Sequence, residues 1–247
     1  MAYMQRTSFN LMPPVVKNLL IINGLAFLAN ITLSNLIGTR LNFLMGLYYP
    51  ESPYFEPFQL VTHLFMHGSF IHLFTNMFAL WMFGSLIENY LGSKRFFLYY
   101  FICGIGASLL HLSVNQYSYS QLTEQLSPAQ INDAYEAGRQ LMMRGQGFRN
   151  NAQQELYLIL NTPTVGASGA VFGILLAFGY LFPNQRIFLL FPPIPLKAKY
   201  FVIGYGLFEL YAGFNNQGSN IAHFAHIGGM LFGFVTLKLW ERNRSNF

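Results

Sequence analysis

Ser168 stands in the run Gly166-Ala167-Ser168-Gly169-Ala170, which follows Asn161-Thr162-Pro163-Thr164 and opens an apolar stretch. Pro163 and the glycines suit a helix starting near Ser168, and the first backbone N–H groups of a helix have no partner within it. A hydroxyl beside such groups is placed for attack on a carbonyl, with the N–H groups holding the developing oxyanion. This is not the G-x-S-x-G elbow of soluble hydrolases, because Ala170 takes the last glycine position and no strand precedes it. The same residues admit a packing role. Serine in a membrane helix bonds a preceding carbonyl, and Gly169, Gly173 and Ala177 form a small-residue stripe.

The matching base is His226, in His226-Ile-Gly-Gly229-Met-Leu-Phe-Gly233. Ala225, Gly229 and Gly233 recur every four residues, so another helix can approach along that face. If this stripe packs on Gly169, Gly173 and Ala177, His226 and Ser168 come side by side, the pairing of nucleophile and base that acyl transfer requires. Apolar surroundings favour the neutral imidazole, the form able to take the serine proton. His223, one turn earlier, reads as a histidine satisfied by its neighbours. A third cluster runs His63-Leu-Phe-Met-His67-Gly-Ser-Phe-Ile-His72-Leu-Phe-Thr-Asn76. At 100° per residue His72 and Asn76 share a helix face, whereas His63 and His67 fall on nearly the opposite side. Gly68-Ser69 therefore marks a break, with Ser69 as N-cap and the two earlier histidines in a loop. His72 and Asn76 then offer side-chain donors inside the bundle. The H-x-x-x-H spacing alone could serve a metal, but it lacks the glutamate of H-E-x-x-H and a third ligand, and no metal is expected.

Counting narrows the chemistry. A paired-aspartate mechanism needs two carboxylates in the membrane, and Asp133 is the only aspartate, in a polar segment. A serine site is expected to be a dyad, unless Asp133 folds inward. Glu209 could in principle orient a histidine but reads first as a local helix-packing or hydrogen-bonding residue, and Glu88 reads as structural. The single cysteine, Cys103, excludes a disulfide framework and a cysteine-rich zinc site.

The elements that must hold these residues follow from composition. Of 247 residues 53% are hydrophobic and only 9% charged, where soluble domains carry about 25% charge. Such a surface belongs in lipid. The net charge of +5 is scattered between apolar runs, which disfavours nucleic acid as a partner. Six candidate spans lie at 15–37, 69–89, 95–114, 166–182, 198–214 and 220–240. The expected fold is all-α: a polytopic bundle of six transmembrane helices with a polar outer insert, about 115–164, between the third and fourth. Residues 1–14 form a polar N-terminal segment without signal-peptide character, 15–240 the membrane domain and 241–247 a tail. With the N-terminus inside, ten of the 14 lysines and arginines face inward and four outward, so both termini are expected to be cytoplasmic. The expected home is a cell membrane, a bacterial inner or plasma membrane. Within the insert, Ser127, Pro128 and Gln130 form a helix start, Arg144-Gly145 a stop, and the spacing predicts one amphipathic helix over about 129–144 with 150–154 as loop.

Taken together, the six spans, Gly166-Ala-Ser168-Gly169 opening the fourth, His226-x-x-Gly229-x-x-x-Gly233 in the sixth and His72-x-x-x-Asn76 in the second resemble the rhomboid family of intramembrane serine proteases over about 59–233. The resemblance implies Ser168 as nucleophile and His226 as general base and acid, with an oxyanion site made by His72, Asn76 and the Ser168 N–H. It also implies that the loop after the first span lies partly in the membrane, and that the fifth span gates substrate access. The substrates would be single-pass membrane proteins, and no metal or cofactor is implied. Where family members often carry Trp-Arg in the first outer loop, this chain has Phe58-Gln59, which leaves the anchoring of that loop open. Four residues after the serine, where a tyrosine often stacks under the histidine, Phe172 supplies the face without the hydroxyl. The alternative function is a catalytically silent rhomboid-like protein that binds client transmembrane helices. Such proteins lack the serine or the histidine, and both are present here.

Overall fold

In a computed structural model of the chain, the described residues are 9–37, 40–136, 140, 141, 144, 148, 150–188, 195–215 and 222–244. Apolar runs free of interior proline become helices because in lipid each backbone N–H and C=O must be satisfied within its own segment. Three helices are long and apolar enough to cross a membrane: α1 (Pro14–Ile37), α4 (Phe70–Leu91) and α5 (Ser93–Gln125). The shorter apolar helix α8 (Ser168–Leu181) carries the serine. α9 (Ala198–Asn215) and α10 (His223–Arg244) occupy the fifth and sixth expected positions. The expected outer connection at 215–219 and the start of the sixth span lie largely outside the described residues. A two-stranded hairpin, β1 (Arg186–Phe188) paired antiparallel with β2 (Pro195–Lys197), connects α8 to α9.

The bundle core joins α1, α4, α5, α8, α9 and α10 through Val16, Leu80, Phe96, Tyr99, Ile174 and Val202, with Leu237 from α10. Glu88, read as structural, is buried at the end of α4 and accepts from Val15 N (3.0 Å) and Val16 N (2.8 Å) at the start of α1, and from the Ser93 hydroxyl (2.7 Å). A carboxylate there meets the positive end of the α1 dipole and uses otherwise orphaned donors. α5 forms the centre of the bundle because its small residues admit neighbours: a Cβ added at Gly106 would strike Phe232 of α10, and one at Gly104 would meet Leu64 at 2.8 Å.

The region between α5 and α8 differs from the expectation in two respects. α5 runs on to Gln125, well beyond the expected end at 114. The predicted amphipathic helix is α6 (Pro128–Glu136), with the capping box in place: Gln130 N donates to Ser127 Oγ (3.3 Å) and Ser127 N to Gln130 Oε1 (3.0 Å). Much of its expected second half lies outside the described residues. The expected loop at 150–154 is instead the start of α7 (Asn151–Asn161), because Asn150 caps it by accepting from Ala152 N and Gln153 N. α6, α7 and the end of α5 share a second apolar cluster around Leu122, Leu126, Ala134, Leu156 and Leu160, joined by Tyr49 from the segment between α1 and α4. Asp133 is exposed on α6 and does not turn inward.

The segment between α1 and α4 contains two short helices, α2 (Leu41–Met45) and α3 (Gln59–Thr62), followed by a 3-10 turn, His63–Phe65. Its anchor is Gln59. The buried side-chain amide donates to Leu44 O (3.2 Å) and Tyr54 O (2.9 Å), while its oxygen accepts from Tyr48 N (3.3 Å) and Glu56 N (3.1 Å). Phe58 is exposed.

Candidate active site

α8 begins at Ser168, and its ladder opens with Val171 N to Ala167 O (3.0 Å), so the N–H groups of Ser168, Gly169 and Ala170 precede the first intrahelical bond. The approach to this helix start is held on both sides. Leu47 and Thr164 exchange backbone bonds of 2.9 and 2.8 Å, and Gly166 N donates to His63 O (3.0 Å). Gly166 has φ +130°, a conformation that side chains rarely adopt. A Cβ there would sit 2.8 Å from His72 Nε2 and 3.7 Å from Ser168 Oγ, so glycine keeps open the space that the hydroxyl and this imidazole share.

The serine and the histidine meet because two backbones touch. A Cβ on Gly229 would collide with the Gly169 carbonyl, and one on Gly173 would stand 2.9 Å from Gly229 O, so α8 and α10 cross at a separation only glycine permits. On α5, Ala107 and Cys103 fill the third side of this contact, opposite Gly169 and Gly173, and Tyr99 Oη donates to Gly173 O (2.8 Å). Gly233, further along the stripe, faces Tyr99 and Cys103 of α5. At this crossing Ser168 Oγ lies 2.9 Å from His226 Nε2. The Phe172 ring lies parallel under the imidazole, with centroids 4.0 Å apart and planes 6° from parallel.

On α4, Ser69 is the N-cap, its hydroxyl accepting from His72 N (3.2 Å), and the two earlier histidines precede the helix. Asn76 is buried and one of its amide hydrogens goes to His72 O (2.8 Å), leaving the second for other use. His67 packs edge-on against His72 at 5.1 Å. Ser168, His226, His72 and Asn76 line one cavity of about 760 Å³, with α7 contributing Leu158 and Ile159 to its wall.

Three further polar groups are brought to the site by the fold. His63 accepts or donates at Ser108 Oγ (3.0 Å) through Nε2 while Nδ1 meets Gln59 O (2.7 Å), and both residues line the cavity. His111 Nε2 meets Thr164 Oγ1 (3.0 Å) just ahead of the serine loop. Ser108 and His111 are single polar residues in an apolar run, and the cost of burying such groups in a membrane is the one signal that could have marked them. The third is Glu209, read as a helix-packing or hydrogen-bonding residue able in principle to orient a histidine: Oε2 lies 2.6 Å from His223 Nδ1 and 2.9 Å from His226 Nδ1. These three groups place donor atoms within 4.8 Å of one another, a set that could in composition hold a metal. The 2.6 Å separation is instead a hydrogen-bond length, since two ligands on one zinc with bonds of about 2.0–2.1 Å stand about 3.3 Å apart.

A family model described as the rhomboid domain matches residues 54–242. Curated relatives include "Rhomboid protein 1, mitochondrial" of Saccharomyces cerevisiae, 29% identical over 189 residues, covering 75% of this chain and 43% of that protein. "RHOMBOID-like protein 12, mitochondrial" of Arabidopsis thaliana is 28% identical over 187 residues, covering 75% of this chain and 46% of its own. "Rhomboid protease GluP" of Bacillus subtilis is 27% identical over 180 residues, covering 72% of this chain and 25% of its own. The chain thus spans less than half the length of each. Two of these names are mitochondrial, which corrects the expectation of a bacterial inner or plasma membrane. With the domain match covering most of the chain and its serine and histidine helices inside the matched region, the chain belongs to the rhomboid family.

Proposed function

We propose that the chain is an intramembrane serine endopeptidase that cuts transmembrane segments of single-pass membrane proteins through a Ser168–His226 dyad and an acyl-enzyme. The observation that carries this reading is the 2.9 Å approach of Ser168 Oγ to His226 Nε2 at the N-terminus of a helix. A relative named as a rhomboid protease supports it. Ser168 Oγ bonds to the scissile carbonyl carbon while its proton passes to His226 Nε2. The charge on the carbonyl oxygen is held by the Ser168 N–H, His72 and Asn76. Collapse breaks the C–N bond, and His226 returns the proton to the leaving nitrogen. Water then attacks the ester with its proton going to His226, the bond to Ser168 breaks, and Oγ recovers a proton from the imidazole. Phe172 holds the ring plane, and Gly166, Gly169, Gly173, Gly229 and Gly233 allow the close packing around it. No step calls for a metal or cofactor.

In this reading the chain crosses the bilayer six times, the helices of 115–164 lie on the side opposite both termini, and the cavity admits water from that side. The mitochondrial names of two relatives support a mitochondrial membrane as the bilayer. The test is reaction with a fluorophosphonate together with cleavage of a model transmembrane substrate. Wild type is expected to label and cleave, and Ser168→Ala to do neither. Cleavage that survives the substitution rules out the serine assignment, whereas a folded wild type that binds the substrate helix without cutting it favours a client-binding role.

A further inference from the structure

We propose that Glu209 positions and electrostatically supports His226, so that the reacting pair works as a Ser168–His226–Glu209 triad assembled across α8, α10 and α9. The inference rests on the serine protease reading above and concerns the far side of the same imidazole. Nε2 faces Ser168 Oγ at 2.9 Å, and Nδ1 faces Glu209 Oε2 at 2.9 Å. A ring that accepts the serine proton at Nε2 must carry its own proton on Nδ1, and a carboxylate at Nδ1 selects that tautomer. Phe172 fixes the plane of the ring, and the Glu209 carboxylate lies on its Nδ1 side.

The placement of Glu209 is unusual for a mere packing residue. α9 leaves Ile203, Leu207, Tyr211 and Phe214 exposed, and the four side chains it buries are Ala198, Val202, Ala212 and Glu209. A carboxylate taken out of water on an apolar helix is costly unless it is paired, and the partners it meets are two imidazoles. His223 supplies the shorter contact, 2.6 Å, and holds the carboxylate oxygen between the two rings. Toward His226 the approach is off the N–H axis, leaving Nδ1 without an aligned hydrogen bond in this state. Catalytic contacts are often misaligned without substrate and tighten when charge develops, here as the ring becomes imidazolium. Because Glu209 rides on α9, a shift of α9 away from α10 also takes the carboxylate from the base. The other titratable groups around this imidazole are His72 on α4, His111 on α5, Tyr205 on α9 and His223 on its own helix.

The test compares wild type, Glu209→Gln and Glu209→Met in purified full-length protein, reading kcat and KM on a model transmembrane substrate, the pH–rate profile and thermal unfolding. Glu209→Gln keeps a carbonyl acceptor for the ring N–H groups and is expected to melt near wild type, whereas Glu209→Met removes one partner of a buried pair and is expected to be the less stable of the two. Folded protein of either variant is expected to keep KM little changed, to lose roughly ten- to a hundred-fold in kcat, and to move the acid limb of the profile to lower pH. That limb moves because the imidazolium loses its counter-charge, an effect a structural role would not produce. Two variants are used so that one failing to fold leaves the other to decide. A folded variant with kcat within about two-fold of wild type and an unmoved acid limb overturns the triad. Loss of the serine reading is a separate result, seen as cleavage by Ser168→Ala.

Discussion

Two residues flank His226 in this chain, and they differ in how visible they are beforehand. Phe172 sits one helical turn after Ser168, so its place under the imidazole is fixed by helical spacing once α8 and α10 touch, and its ring lies 4.0 Å below. Glu209 is 17 residues from His226 with the end of α9 between them, and no period within one helix relates the two. The oxyanion residues lie between these extremes. His72 and Asn76 share a face by spacing, but their nearness to Ser168 depends on Gly166, whose missing side chain leaves the intervening space open. If Asn76 donates to the developing oxyanion, Asn76→Ala keeps the helix and its melting temperature but lowers turnover by about two to three orders of magnitude. Substrate cleavage by the purified variant checks this, and an unchanged rate removes Asn76 from the site.

At the scale of elements the decisive contact is α8 on α10. Small residues every four positions on both helices mark each as a packing face, and helix association in lipid relies on such close approach. What the stripes do not state is the third helix. α5 places Cys103 and Ala107 against Gly173 and Gly169, so the crossing is a three-helix junction with almost no free space. Gly229→Ala should therefore fail where a surface alanine would not. Its methyl meets the Gly169 backbone carbonyl, which has no rotamer to yield, so α8 and α10 must part. The expected cost is about 1–3 kcal/mol in stability, with a loss of about a hundred-fold in labelling as Ser168 and His226 separate. Thermal unfolding and fluorophosphonate labelling measure the two, and a variant with wild-type values for both would show that the crossing is not tight. The segment between α1 and α4 follows the same logic in polar terms: four bonds to one buried glutamine, Gln59, hold it in place.

For the whole molecule, the helices between α5 and α8 are joined to the site. α7 lines the cavity through Leu158 and Ile159 and leads directly to Thr164, which pairs with Leu47 ahead of Ser168. Its buried face holds Leu156 and Leu160 in the second apolar cluster. Leu156→Ala is expected to cost about 2–5 kcal/mol by leaving a cavity there. Labelling of the protein that remains folded should stay within a few-fold of wild type, since Leu156 touches none of the reacting groups. Melting curves and labelling at low temperature check this, and an unchanged melting temperature would show that the cluster does not support the bundle. What the sequence determined by itself was everything set by local periodicity and composition: a membrane chain, its apolar helices, the helix start at Ser168, the Ser69 break, and the two small-residue stripes. These depend on hydrophobicity and on spacings of three to four residues, which a chain carries without its fold. Only the tertiary structure decided which carboxylate faces His226, which helix completes the α8–α10 junction, and how α7 reaches the cavity. Each is a contact between segments far apart in the chain, where the partner is chosen by close packing and by the cost of an unpaired buried charge, neither of which leaves a period to read.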